Sequence, residues 1–208
     1  MSSLLKENFI ISKNDIAYNF DKFKSGDINL LLIVGFSGSG KTTSAFQIEK
    51  DLKNCYVISL DLILNNKDDI INNKSNNYSI FKTFFNQNEE LLTVDIDNNR
   101  KNRILYIEKF IKFIEDYAEN NKNVQFIVEG IWPVSYEFNP KLFDNWAVII
   151  KGTSYIKSDF RVSKRETSNN KDAVFDFLKA QNLIRLININ KLNKNIELWR
   201  RHFKNLMI

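Results

Sequence analysis

Short apolar runs alternate along the chain with amphipathic segments, and this pattern predicts a series of strands and helices. Each apolar run has the length of a buried strand, and such strands are predicted at about 28–34, 56–60, 124–129 and 146–150. Apolar residues at helical spacing predict helices between them, at about 41–53, 79–92 and 99–120. Strands that alternate with helices favour an α/β fold with a parallel sheet.

The two ends of the chain are predicted to be helical. Residues 1–25 would form a leader, because three apolar residues have the i, i+4, i+7 spacing of a short amphipathic helix, Ile16, Phe20 and Phe23. Residues 172–208 are interpreted as C-terminal helices. Periodicity alone does not decide whether 183–187 is a fifth strand or part of a helix.

The length of 208 residues suits one domain covering 1–208. Within it, residues 65–98 are polar at first and then aromatic, and we interpret them as an insert on the substrate side. No repeat and no linker rich in proline, glycine or serine divides the chain.

Composition excludes several classes of function. Cys55 is the only cysteine, so an internal disulfide is impossible, a reducing compartment fits, and burial as a small apolar residue is expected. His202 is the only histidine, which excludes a histidine-based triad or a multi-histidine metal site. No apolar run approaches the roughly 18 residues of a membrane span, and the first residues lack the apolar core of a secretory signal. A cytoplasmic protein is therefore expected.

The formal net charge of +5 suits a polyanionic nucleotide as partner, and it equally suits an ordinary basic surface. No arginine-rich run interleaved with aromatic residues is present, so nucleic acid is disfavoured as a partner, although it is not excluded. The sequence leaves the oligomeric state open.

A glycine-rich segment follows the first predicted strand and precedes the first predicted helix. It has the pattern G-x-x-x-x-G-K-T of a phosphate-binding P-loop, and three of the six glycines lie in it. Its backbone N–H groups would surround a phosphate chain, Lys41 would contact the β- and γ-phosphates, and Thr42 would hold Mg²⁺. The predicted nucleotide-binding residues are Gly35, Ser37, Gly38, Ser39, Gly40, Lys41, Thr42 and Thr43.

Two alternatives exist for this segment. One is a glycine-rich turn without a ligand. The other is a dinucleotide-binding loop, which is set aside because Thr43 stands where G-x-G-x-x-G has a small residue, usually glycine.

Two acidic residues follow other predicted strands. Asp61 comes after the second strand and Glu129 closes the third. Because ligands in parallel sheets bind at the carboxyl ends of strands, both acids and the glycine-rich loop are predicted to share one cleft. The alternatives are a helix N-cap for Asp61 and a solvated strand-end carboxylate for Glu129.

Four segments together resemble P-loop kinases of the adenylate, uridine and shikimate kinase group. They are G-F-S-G-S-G-K-T-T, I-S-L-D, F-I-V-E-G and K-S-D-F-R-V-S-K-R, in that order within residues 28–166. The resemblance implies a three-layer parallel sheet of the P-loop nucleoside triphosphate hydrolase type, kinase division, with neighbouring Walker A and Walker B strands. It also implies a helical lid, here 152–171, and transfer of the γ-phosphoryl group of ATP, with Mg²⁺, to a small molecule.

The resemblance also implies roles for individual residues. Glu129 stands where the family places its Walker B acid and would hold Mg²⁺ together with Thr42. Asp61 would accept the proton of the attacking hydroxyl or bind the substrate. Arg161 and Arg165, four residues apart on one helix face, would contact the phosphate being transferred, with Lys164 beside them. A solvated basic helix face is the alternative for these cations.

Weaker candidates lie on the acceptor side. Arg100 and Arg103 begin the third predicted helix and would bind an acceptor phosphate; a solvated helix start is the alternative. Trp132, with Tyr136, would wall the acceptor pocket or stack on a base, and packing under the loop is the simpler interpretation.

These residues favour a kinase that acts on a nucleoside, a nucleotide or another small metabolite. Sugar-nucleotide kinases of the zeta-toxin type are one variant. Two alternatives remain, a polynucleotide 5′-end kinase and a nucleotide-binding switch or ATPase module without an acceptor.

Overall fold

The computed structural model describes residues 11–60, 76–92, 100–152 and 183–208. The strands in these ranges are β1 (Ile16–Tyr18), β2 (Leu30–Val34), β3 (Cys55–Ser59), β4 (Gln125–Gly130) and β5 (Ala147–Ile150). The α-helices in the same ranges are α1 (Phe20–Ser25), α2 (Lys41–Asp51), α3 (Asn76–Gln87), α4 (Arg100–Asn120), α5 (Trp132–Ser135) and α6 (Leu183–Leu206). Short 3₁₀ helices lie at Glu89–Leu92 and Pro140–Phe143.

The five strands form one sheet in the order β1-β5-β2-β4-β3. β2 pairs in parallel with both β4 and β5, and β3 pairs in parallel with β4. The predicted α/β class and the four predicted strands are therefore confirmed. Because β2 is central, the segment that leaves its carboxyl end is flanked by the ends of β4 and β5.

Helices cover both faces of the sheet. The apolar run of β2 is buried on both sides, as expected for a strand inside a parallel sheet. Leu31 and Ile33 pack with residues of α1 and α2, whereas Leu32 and Val34 pack in the larger cluster with residues of α3, α4 and α6. Helices on both faces of the sheet are compatible with the three layers that the resemblance implied.

The predicted leader helix is wrong at its start. Ile16–Tyr18 is strand β1, which pairs antiparallel with β5, so the sheet is not wholly parallel. Ile16 and Tyr18 pack in the larger cluster while Ala17 packs on the opposite face. Pairing with the free edge of β5 therefore makes successive side chains of Ile16–Tyr18 alternate between the two faces of the sheet. The spacing of Ile16 with Phe20 and Phe23 also fits a helix, but the strand forms. Only Phe20–Ser25 forms a helix, after Asn19 in the left-handed conformation with φ 52°.

The segment 183–187, left undecided by periodicity, is helical and lies in α6. Ile196, Trp199 and Phe203 form its buried stripe, and the Trp199 indole donates to the Phe138 carbonyl at 3.2 Å. Residues 172–182, also predicted to be helical, lie outside the described residues. Among the helices that are described, none has both the length and the apolar character needed to cross a membrane.

Candidate functional site

Glycines shape the loop that joins β2 to α2. Gly35, Gly38 and Gly40 have φ angles of 153°, 77° and 91°, which residues with a Cβ rarely adopt. At Gly35 an added Cβ would also lie 2.9 Å from Lys151 Cβ and 3.0 Å from Ser39 Oγ. At Gly35 the loop therefore requires glycine for two reasons: the backbone has a positive φ, and a Cβ would not fit.

The loop ends directly in α2, and Gly40 is the residue that precedes the helix. The first intrahelical bond runs from Ser44 N–H to the Gly40 carbonyl at 3.0 Å, and no side chain caps the helix start. The N–H groups of the first helical turn have no intrahelical acceptor. Together with the helix dipole, they make this end of α2 suited to binding an anion.

Lys41 lies within the curve of the loop. It is 6 % exposed, and its ammonium group donates to the Phe36 carbonyl at 3.0 Å. The same carbonyl accepts the Ser39 N–H at 3.1 Å. The Lys41 ammonium is therefore held against the backbone of the loop. This places its positive charge in the turn where an anion would bind.

Thr42 and Glu129 join the loop helix to the neighbouring strand. The Thr42 hydroxyl donates to Glu129 Oε1 at 3.1 Å. Glu129 is 1 % exposed, so it is not the solvated strand-end carboxylate that sequence reasoning kept as an alternative. A carboxylate this deeply buried needs hydrogen-bond donors, and Thr42 supplies one.

The sheet register explains how Glu129 reaches this position. Glu129 stands opposite Ile33 of β2 on one side and Ser59 of β3 on the other. Gly130 follows, and a Cβ added there would lie 3.0 Å from Leu60 Cβ. A small residue after Glu129 thus lets the ends of β4 and β3 lie close together beside the glycine-rich loop.

Thr42 and Glu129 suit a hard cation. A hydroxyl and a carboxylate are oxygen ligands of the kind that Mg²⁺ prefers, and this ion usually keeps waters and substrate phosphates as its other ligands. Across the described ranges, no group of three or more His, Cys, Asp or Glu side chains could hold a metal on its own. The donor set fits a magnesium ion that is shared with a phosphate chain.

An aromatic and cationic cluster lies after the end of β4. The Arg103 guanidinium lies over the Trp132 ring at 5.3 Å and donates to the Tyr136 hydroxyl at 3.1 Å. Arg100 lies over the Tyr136 ring at 5.7 Å. Trp132 and Tyr136 are partly buried against the large core cluster. Sequence reasoning named these residues separately, and the structure brings them together.

The same cluster borders a groove of about 390 Å³ between α5 and α6, with Tyr136, Arg100 and Lys191 among the residues that line it. Glu137 has a φ of 63° and lies 3.8 Å from Arg100 and 2.5 Å from Lys191. The Lys191 contact leads the causes that lower the pKa of Glu137. All three side chains are substantially exposed, so these pairs add little to stability.

Several predicted residues lie outside the described part of the chain. Asp61 follows the last described residue after β3, and the proposed lid residues Arg161 and Arg165, with Lys164, fall in the undescribed stretch from 153 to 182. Their assignments stay predictions.

Sequence reasoning missed two residues beside the loop. Lys151 follows β5 directly, and its ammonium lies 2.6 Å from Asp15 Oδ2. Burial on its own would raise the pKa of Asp15, but hydrogen bonds from Lys151 and from backbone N–H groups outweigh it, and the pKa is lowered. Glu129 was predicted because ligands in parallel sheets bind at the carboxyl ends of strands. The same rule, applied to the fourth predicted strand, would also have indicated Lys151.

Cys55 and His202 take structural positions. Cys55 is buried in the smaller cluster, as predicted, and burial first, then the Glu49 carboxylate, raises the pKa of its thiol to about 12. His202, whose side chain is mostly buried, contacts Asp144 at 2.5 Å.

Comparison of the chain with protein-family models, with curated proteins and with solved structures found no match in any of the three.

Proposed function

We propose that this protein binds a magnesium nucleoside triphosphate at the glycine-rich loop and transfers its γ-phosphoryl group to a small hydroxyl or phosphate acceptor. The observation that carries the proposal is the bond from Thr42 to Glu129, which joins the start of α2 to the end of β4. A glycine-rich loop with a buried lysine is suited to binding phosphate. The neighbouring hydroxyl of Thr42 and carboxylate of Glu129 could hold the Mg²⁺ that accompanies a nucleoside triphosphate.

The described residues have distinct tasks in this proposal. The N–H groups of the loop and of the first turn of α2 bind phosphate oxygens and orient the chain. Lys41 exchanges its bond to the Phe36 carbonyl for the β- and γ-phosphates and neutralises their charge. Thr42 and Glu129 hold Mg²⁺, which when bound would neutralise charge on the phosphate oxygens. Positioning and charge neutralisation are the main requirements of phosphoryl transfer, so these groups suffice for its triphosphate side.

The acceptor side remains a set of predictions. Arg100 and Arg103 carry positive charge near the end of β4, and Trp132 and Tyr136 supply aromatic surface. Together they favour an acceptor with a planar or an anionic group. Asp61 would accept the proton of the attacking hydroxyl. Arg161 and Arg165 would contact the phosphate that is transferred. The proposed nucleotide is ATP, although no feature of the described residues selects it over GTP.

A screen of γ-labelled ATP against a panel of nucleosides, nucleotides and other hydroxylated metabolites tests the proposal. We expect a labelled product from the wild-type protein and none from Lys41→Met, which keeps the side-chain stem and removes the charge. Lys50→Met, an exposed lysine in the last turn of α2 and so at the opposite end of this helix from the loop, is the matched control and should transfer normally. Equal product from wild type and Lys41→Met would refute the proposal.

The alternatives give different results in the same screen. A polynucleotide 5′-end kinase would label oligonucleotides, with binding that weakens steeply as salt rises. A switch or ATPase module would release phosphate and label no acceptor at all. Asp61→Asn separates acceptor chemistry from nucleotide binding, because it should stop transfer while ATP still binds.

A further inference from the structure

A buried ion pair lies beside the glycine-rich loop, on the side away from Glu129. β5 borders β2 there, and Lys151 follows β5 directly. The Lys151 and Asp15 side chains are only 8 % and 1 % exposed, and their charged atoms lie 2.6 Å apart. The cost of removing two charges from water largely offsets their attraction, so the pair adds little net stability compared with apolar residues, although loss of one partner would leave the other charge buried and uncompensated. What the pair fixes in place explains it better.

The Asp15 carboxylate is held independently of the lysine. Its Oδ1 accepts the Gly152 N–H at 2.8 Å, and its Oδ2 accepts the Ser12 N–H at 2.8 Å. Asp15 also directly precedes β1, which is paired along β5. The carboxylate is therefore a fixed point to which the lysine ammonium is attached.

Lys151 meets the loop through its backbone and through the first part of its side chain. Its N–H donates to the Val34 carbonyl at 2.9 Å, which continues the hydrogen bonding between β2 and β5 one residue past the end of β5. Beside this bond, Lys151 Cβ lies where a side chain at Gly35 would be, 2.9 Å from the position of an added Cβ. The stem of the lysine thus packs on the glycine where the loop begins.

We propose that Asp15 and Lys151 are positioning residues for the glycine-rich loop: the carboxylate anchors the ammonium, and the anchored stem supports Gly35 in its positive-φ conformation. Without the carboxylate, the ammonium would lose the anchor that holds the stem against Gly35. The glycine has no side chain with which to hold its own position, so the loop would lose its support on the β5 side. The consequence for nucleotide binding rests on the proposed function, whereas loop order does not.

Two double variants separate the stem from the charge. Asp15→Asn/Lys151→Met and Asp15→Asn/Lys151→Ala both lack the ion pair, and only the first keeps the stem. Amide hydrogen exchange of the loop between Phe36 and Gly40 is measured without nucleotide. We expect loop exchange near the wild-type rate in the methionine variant, and exchange about tenfold faster in the alanine variant and in Asp15→Asn alone.

Glu115→Ala is the control for general destabilisation. It removes the acceptor of the buried Trp146 indole at the opposite end of β5, where the bond is 2.8 Å long. If loop exchange follows global stability in all variants as it does in this control, or if the methionine and alanine variants exchange equally, the proposal is overturned.

Titration with magnesium ATP distinguishes this inference from the proposed function. If the wild-type protein binds no triphosphate, the proposed function fails, while the exchange result still decides whether the pair positions the loop. If it binds, the alanine double variant should bind about tenfold more weakly than the methionine double variant.

Discussion

The Thr42 hydroxyl donates a hydrogen bond to the Glu129 carboxylate at 3.1 Å, across 87 positions of sequence. The bond forms because β2 and β4 are neighbours in the sheet, so that the helix after one strand begins beside the end of the other. It connects the two residues that we propose hold the metal.

Thr42→Ala should destabilise the protein by about 1–3 kcal/mol, because the buried Glu129 carboxylate loses this donor. Urea denaturation measures the change, and Thr42→Ser, which keeps the hydroxyl, should stay within about 0.5 kcal/mol of wild type. The alanine variant should also need more magnesium for half-maximal phosphoryl transfer. If serine and alanine have equal effects on both measurements, the hydroxyl has neither role.

Stability should fall in acid because of the pair between Asp15 and Lys151. The folded-state pKa of Asp15 is lowered from 3.8, so its contribution is fully present above that value and is lost as pH falls through the lower, folded-state pKa. Urea denaturation at neutral pH and at a series of pH values below about 4 measures the loss. Asp15→Asn should be less stable by about 3 kcal/mol at neutral pH, and the difference from wild type should narrow as acid is added.

Exposed carboxylates complicate this measurement, since the pKa of Glu90 and that of Glu137 are also lowered, chiefly by lysine partners. Their surface pairs are screened by salt, whereas a buried pair is screened much less. A difference between wild type and Asp15→Asn that disappears at high salt would contradict the assignment to Asp15.

Tyr106→Phe should leave stability unchanged or raise it by up to about 1 kcal/mol. Tyr106 is 1 % exposed, packs beside Phe84 and Phe85, and its hydroxyl has no hydrogen-bond partner within the described ranges. Burial accordingly raises the pKa of the phenol. Chemical denaturation of the two proteins tests this; a marked loss of stability in the phenylalanine variant would mean that the hydroxyl has a partner.

Cys55 should resist thiol reagents in the folded protein. With a pKa of about 12 instead of 9.0, its thiolate fraction at pH 8 is about a thousandfold lower than that of an ordinary thiol. Labelling with a chromogenic disulfide should therefore be slow in buffer and rapid in urea, with a midpoint that matches unfolding. Rapid labelling at low urea would show that β3 opens locally.

The glycine-rich loop was predictable because its information is local. The glycines, Lys41 and Thr42 are contiguous, and the loop conformation depends on the φ angles that these residue types allow. The position of Glu129 near the strand end was also predictable, since it directly follows the buried apolar run 126–128. Its bond to Thr42 was not, because it depends on which strands become neighbours.

The edge of the sheet shows what required the tertiary structure. Ile16, Phe20 and Phe23 fit helical spacing, yet Ile16 pairs with Ile150 in a strand because β5 offers an unpaired edge. The same pairing brings Asp15 to Lys151 across 136 positions. The sequence by itself determined four of the strands and the glycine-rich pattern, because backbone sterics and apolar periodicity act between near neighbours. Only the tertiary structure decided which distant charges are buried together, because that depends on the order and register of the strands.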